Sequence, residues 1–283
     1  MNAQELKTAA KQFDADLIGI ADIQNLKYLP PEDNPLSIFP QATNVIVVGR
    51  KIPRGTLRGI EQGTEFDNSF TQFGFMTLED NLLAKSTYDL SIWMEARGFE
   101  AVPLFAYDCE GQSVGVPVAP GKPAPNVILK YRIMAQAAGL GETALNGLFL
   151  TPQFGPRQRF AMLLTDAGLE SDQPFKPHLC DDCGKCIAAC PLQALSVKNA
   201  KPFGLANYQR PVAERDNARC LRCKNGAIAT NYGRFETVER VAAACSRACI
   251  AALEERKASS EKFTQPFRQN PAWGRDLNGD KIF

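Results

Sequence analysis

Residues 178–191 read HLCDDCGKCIAACP and place Cys180, Cys183, Cys186 and Cys190 at the spacing C-x-x-C-x-x-C-x-x-x-C, with Pro191 directly after. Two-residue gaps let a single loop present three thiolates to the corners of an iron–sulfur cube, while the fourth cysteine reaches a second cube. That second cube needs more thiolates, and the chain has them downstream. Cys220 and Cys223 form a C-x-x-C bite, and Cys245 and Cys249 stand four apart on one helix face. The expected ligand sets are Cys180, Cys183, Cys186 and Cys249 for one [4Fe–4S] cluster, and Cys190, Cys220, Cys223 and Cys245 for the other. Two Cys₄ zinc sites would use the same eight residues, but the dense run with its trailing proline suits zinc poorly. Cys109 is left over and reads as a buried free thiol.

The rest of the composition narrows the setting. Across 283 residues, 32 Lys+Arg face 31 Asp+Glu for a net charge of +1, so no overall pull toward nucleic acid or an anionic membrane is expected. His178 is the sole histidine, which removes His-rich zinc, copper and non-haem iron sites. The N-terminal residues lack the basic and apolar regions of a secretory signal, and no apolar run is long enough to span a bilayer. The expected compartment is the reducing cytoplasm, where clustered cysteines serve metal or redox chemistry more often than disulfides.

Upstream of the cysteines the pattern alternates between helix and strand. It predicts a helix over 5–13, strands over 16–21 (DLIGIA) and 44–49 (NVIVVG), an irregular stretch over 53–75, and a helix over 77–97. A strand over 101–107, a proline-rich loop over 116–125, a helix over 126–138, and strands near 148–151 and 160–165 follow. The fold class is thus α/β or α+β with a substantial sheet. Composition changes at SDQPFKP (171–177), giving domains 1–172 and 173–283. The second is expected to hold the cysteines, short helices, a long helix over 237–257 and a tail that wraps back over the surface. A two-cube wire needs far fewer residues than 283, so residues 1–172 are expected to bind a substrate, a second cofactor or a partner.

The stretch AAGLGETALNGLFLTPQFGPRQRFAMLLTD (137–166) ahead of the cysteine run resembles the epoxyqueuosine reductases and the catalytic subunits of reductive dehalogenases. Gly139, Leu140, Gly141, Asn146, Pro152, Phe154, Gly155, Thr165 and Asp166 occupy the places of that family's AGLG turn, Pro-x-Tyr/Phe-Gly turn and Thr-Asp strand end. The resemblance implies a nitroreductase-like N-terminal domain followed by a bacterial-ferredoxin-like two-cluster domain. It also implies a cobalamin-type corrinoid against Gly139, Gly141 and Asn146, where glycines permit close backbone approach. Electrons from a low-potential donor such as ferredoxin or flavodoxin would then serve reductive cleavage of a carbon–heteroatom bond in a small-molecule substrate. The chain departs from the family at Ala144, where a glycine is usual, and near Pro125–Asn126, where epoxyqueuosine reductases carry an acid. It reads as a short form, with neither a C-terminal helical-repeat domain nor a twin-arginine signal. The alternative is an electron-transfer protein or a reductive activator of a corrinoid protein.

A reductive step needs a proton donor, and Tyr131, Lys130 and Glu142 are the catalytic candidates by position, with Tyr107 and Asp108 behind them. Arg157 and Arg159 are candidate anion anchors, with surface pairing to acids as the plainer reading. Lys185, Arg219, Arg222 and Lys224 form a basic rim beside the cysteines, suited to an acidic electron donor or simply solvated. His178 either tunes cluster sulfur or packs locally.

Overall fold

The computed structural model describes residues 1–106, 115–125, 127–232, 235–276 and 278–282. Tyr107, Asp108, Cys109 and Asn126 therefore lie outside the described residues. In chain order come α1 (Ala3–Gln12), β1 (Leu17–Asp22), α2 (Pro35–Ile38), β2 (Asn44–Lys51), α3 (Arg58–Gln62), α4 (Ala84–Glu95), β3 (Ala101–Phe105) and α5 (Tyr131–Ala137). The short strands β4 (Glu142–Thr143) and β5 (Phe149–Leu150) lead into β6 (Gln158–Thr165). The cysteine-bearing part adds α6 (Lys185–Ala188), β7 (Leu195–Phe203), β8 (Arg210–Arg215), α7 (Asn217–Leu221), β9 (Ile228–Tyr232), β10 (Phe235–Glu239) and α8 (Ala244–Glu255). No helix among the described residues is long and apolar enough to cross a membrane.

Two compact units result. The first comprises Met1–Lys51, Leu78–Leu140 and Arg159–Phe175; the second comprises Ile52–Thr77, Gly141–Gln158 and Lys176–Phe283. The first unit is built on a sheet of order β1-β2-β6-β3, with β1 antiparallel to β2 and β3 antiparallel to β6. Every residue of β6 is buried, with its apolar stretch over 160–164 at the centre of the sheet. A capping box starts α1, with Asn2 and Glu5 exchanging side-chain-to-backbone bonds, and sets Leu6, Ala9 and Ala10 on the core side. They pack with Ile20, Ile46, Val48, Leu90, Met94 and Leu163.

Four sequence expectations are corrected. Residues 53–75 are largely helical, through Arg54–Leu57, α3 and a wide-turned helix over Asp67–Met76. The helix expected over 77–97 consists of a second wide-turned segment, Leu78–Leu83, continued by α4. The helix expected over 237–257 begins only at Ala244, because Phe235–Glu239 pairs antiparallel with β9 and Ala243 is extended at ψ 159°. β-Branched Thr237 and Val238 suit that strand better than a helix. The helix expected over 126–138 is α5 alone. In the second unit the tail lies back over α3: Phe267 is fully buried, and Trp273 donates to the Ile60 carbonyl at 3.0 Å.

Candidate functional site: two four-cysteine cavities

In the second unit the cysteines gather around two cavities. Cys180, Cys183, Cys186 and Cys249 line one small cavity of about 20 Å³, together with Asn146, Asp181, Asp182 and Arg256. Cys190, Cys220, Cys223 and Cys245 line another of about 20 Å³, walled by Pro191, Leu192, Leu195 and Arg240. None of these cysteines is in a disulfide. α8 serves both cavities, because Cys245 and Cys249 lie one turn apart on it. The C-x-x-C-x-x-C loop reaches three corners of the first cavity by passing through the left-handed region at Asp182 (φ 56°).

Six of the eight thiols are raised above their ordinary range. Burial, reinforced by the neighbouring cysteines, pushes Cys186 up to about 12. Burial raises Cys220 to about 11 even though Arg240 and Arg215 pull it down. Cys180, Cys223, Cys245 and Cys249 are raised as well, each chiefly by burial. A ring of buried thiols of this kind ionises readily only against bound cations. Among the described residues no three Cys, His, Asp or Glu groups converge closely enough for a single metal ion. Four sulfurs around each cavity, none of them converging in threes on one point, suit a single zinc poorly.

Glu142 is the most informative of the catalytic candidates. It is fully buried, accepts backbone N–H bonds from His178 at 2.5 Å and Cys180 at 2.7 Å, and pairs with Arg210 at 2.6 Å. Arg210 also donates to the Cys180 carbonyl and to Asp182. With all these bonds Glu142 is a buttress for the first cysteine loop rather than an exposed acid. In the first unit Lys130 is ion-paired with Asp33, and the Tyr131 ring lies 6.0 Å from Phe160.

The other candidates are equally occupied. Arg157 is buried against Glu261 at 2.5 Å and the Ile52 carbonyl, and Arg159 lies 3.4 Å from Glu79. The His178 ring meets the Lys176 carbonyl at 2.8 Å, a local contact. In the rim, Lys185 pairs with Glu255 and Arg219 with Asp216, while Arg222 and Lys224 are exposed.

Gly139 and Gly141 do not fit the open cradle that a flat macrocycle needs. A Cβ at Gly141 would lie 1.9 Å from the Leu150 carbonyl oxygen, and one at Gly139 (φ 75°) 2.7 Å from that of Gln173. The chain itself fills both approaches, so each glycine serves packing. Asn146 instead lines the first cysteine cavity. Its Oδ1 accepts from Leu148 N–H, while its buried Nδ2 has no partner among the described residues.

Sequence reasoning missed Arg240. It is buried on the wall of the second cavity and donates to the Asn146 carbonyl at 3.0 Å. Five residues before Cys245 but outside any cysteine spacing, it gave no local signal.

No family model matches the chain. Its homologues are epoxyqueuosine reductases and tetrachloroethene reductive dehalogenases. A tetrachloroethene reductive dehalogenase of Desulfitobacterium hafniense is 31% identical over 173 residues, covering 55% of this chain and 28% of that protein. An epoxyqueuosine reductase of Synechocystis sp. is 25% identical over 194 residues, covering 68% of this chain and 57% of that protein. The chain thus matches less than a third of that dehalogenase and just over half of that reductase. In fold, it is similar to a catabolic reductive dehalogenase solved with 3-bromo-4-hydroxybenzoic acid. The TM-score is 0.56 at 16% identity, over 93% of this chain and 32% of that one.

Proposed function

We propose that this chain is an iron–sulfur oxidoreductase with two [4Fe–4S] clusters, drawing electrons from a low-potential donor of the ferredoxin or flavodoxin class. The observation that carries the reading is the gathering of eight cysteines into two sets of four, each around its own cavity. When bound, such clusters take up and release single electrons. The chain's own residues hold the thiolates in place. Glu142 and Arg210 clamp the backbone at Cys180, Ala194 N–H donates to Cys190 sulfur at 3.2 Å, and Arg256 ties Leu179 to the end of α8. The apolar walls keep bulk water from the inner sulfurs.

The relatives' names point to reductive cleavage of a carbon–heteroatom bond, carbon–halogen in one group and an epoxide carbon–oxygen bond in the other. Their names also span two substrate classes, a small organohalide and a modified nucleoside. The resemblance's corrinoid finds no cradle at Gly139 or Gly141, and the cluster reading stands without it.

The test is metal and sulfide content after anaerobic purification, incubation with hydroxocobalamin and desalting. About eight irons and eight sulfides per chain are expected. Zinc in place of iron, or iron without acid-labile sulfide, overturns the proposal. Retained cobalt would locate a corrinoid on this chain. The same iron with no cobalt moves the reading to an electron-transfer protein or reductive activator serving a corrinoid-bearing partner.

A further inference from the structure

Among the described residues, the second unit contains three buried arginines, and their partners differ. Arg157, 3% exposed, is paired with Glu261 at 2.5 Å, and Arg247, 1% exposed, with Glu61 at 2.7 Å. Arg240, 5% exposed, bonds only the Asn146 carbonyl and has no carboxylate partner among the described residues. A buried cation without a counter-ion is costly, and proteins rarely keep one idle. Arg240 is also the one charged side chain on the wall of the cavity lined by Cys190, Cys220, Cys223 and Cys245; the rest of that wall is apolar apart from the thiols. The missing anion therefore belongs in the cavity.

We infer that Arg240 is the counter-cation of the cluster held by Cys190, Cys220, Cys223 and Cys245, and that its charge raises that cluster's reduction potential. The inference rests on the proposed two-cluster reading. A cube with four thiolates carries two negative charges when oxidised and three once it has taken an electron. A fixed positive charge in an apolar wall stabilises the second state more than the first. The electron comes from a low-potential one-electron donor, which is oxidised by one electron as the cluster is reduced by one. No bond is made or broken, and no proton is needed. At the other cavity, Arg210 is paired with Glu142 and Asp182, and Arg256 with Asp181, so the charge of each cation is shared with carboxylates before it reaches Cys180, Cys183, Cys186 and Cys249. Arg240 is a positioning residue for charge, acting on potential rather than touching substrate.

The experiment is a redox titration of the full chain, purified without oxygen and reduced stepwise with dithionite, followed by electron paramagnetic resonance. Iron and sulfide are assayed first. In Arg240→Gln, one of the two reduction steps should fall by a tenfold change in its equilibrium, about 59 mV for a one-electron couple. The other should move less. Arg240→Lys, which keeps the charge, should return the shifted step toward the wild-type value. Full iron with neither step moved, both steps moved equally, or a lysine variant indistinguishable from the glutamine variant overturns the inference. If Arg240→Gln arrives short of iron, lysine must restore the iron, and failure to do so overturns it as well. Wild-type chain without iron or sulfide defeats the cluster reading itself, a result distinct from any of these.

Discussion

The two cysteine sets sit in one unit, share a helix and yet are held by opposite electrostatic devices. Around Cys180, Cys183, Cys186 and Cys249 the charges are mutually satisfied, with Glu142 and Asp182 on Arg210 and Arg256 beside Asp181 at 3.2 Å. Around Cys190, Cys220, Cys223 and Cys245 the wall is apolar apart from the thiols and Arg240, which has no carboxylate partner among the described residues. The first set is also wetter, with Cys183 exposed, while Cys220 and Cys245 of the second are buried. The contrast teaches that a fixed charge tunes a site only when it is not already spent on structure.

The largest way to break the comparison is to remove one ligand from each set on the same helix. Cys249→Ala and Cys245→Ala lie one turn apart on α8, yet each should cost about four of about eight irons, and from different clusters. Iron analysis with paramagnetic resonance of the surviving cluster checks this. If either substitution strips all the iron, or both leave the same surviving signal, the two cavities are not independent sites.

A smaller effect is expected at the buttress. Glu142→Gln keeps the shape of a fully buried side chain but removes its charge from Arg210 and weakens its hold on the His178 and Cys180 N–H groups. Losing one partner of a buried pair costs about 3 kcal/mol, and Asp182 still partners Arg210. Denaturant unfolding of the iron-loaded chain should show that loss, with the step assigned to the first cluster shifting upward as Arg210 is partly released. Unchanged stability would show that Glu142 is not what fastens the first loop.

How much of this was legible beforehand follows the range of the forces involved. The cysteines come together around two cavities from short, fixed spacings in the sequence, and the i, i+4 relation of Cys245 and Cys249 survives even though their helix starts seven residues later than expected. β1 and β2 announced themselves through DLIGIA and NVIVVG, apolar runs that only a buried strand accommodates. The helical character of 53–75 was hidden because Gly55, Gly59 and Gly63 resemble punctuation, whereas only Gly63, at φ 71°, ends a helix. Glu142 looked like an acid in a turn, and nothing local shows that Arg210, 68 residues away, claims it. The same holds for Glu61 with Arg247 and for Arg54 with Glu254, pairs that bring residues 52–77 to the cysteine-bearing segment. Long-range ion pairs leave no periodicity to read.

The finest test of the comparison is to make the first site more like the second without disturbing its shape. Asp182 sits in the left-handed region at φ 56° and is paired with Arg210, with half of its side chain exposed. Asparagine tolerates that backbone conformation as well as aspartate does, so Asp182→Asn removes a charge without adding strain. Arg210 would then keep only Glu142 and present part of its charge toward Cys180. The first cluster's reduction step should rise, but by less than the tenfold fall expected from Arg240→Gln, because Glu142 remains and solvent screens a half-exposed carboxylate. The same titration reads both changes, and their signs must be opposite. A downward shift on losing Asp182 would mean that Arg210 acts on the cluster through the shape of its bonds rather than through its charge.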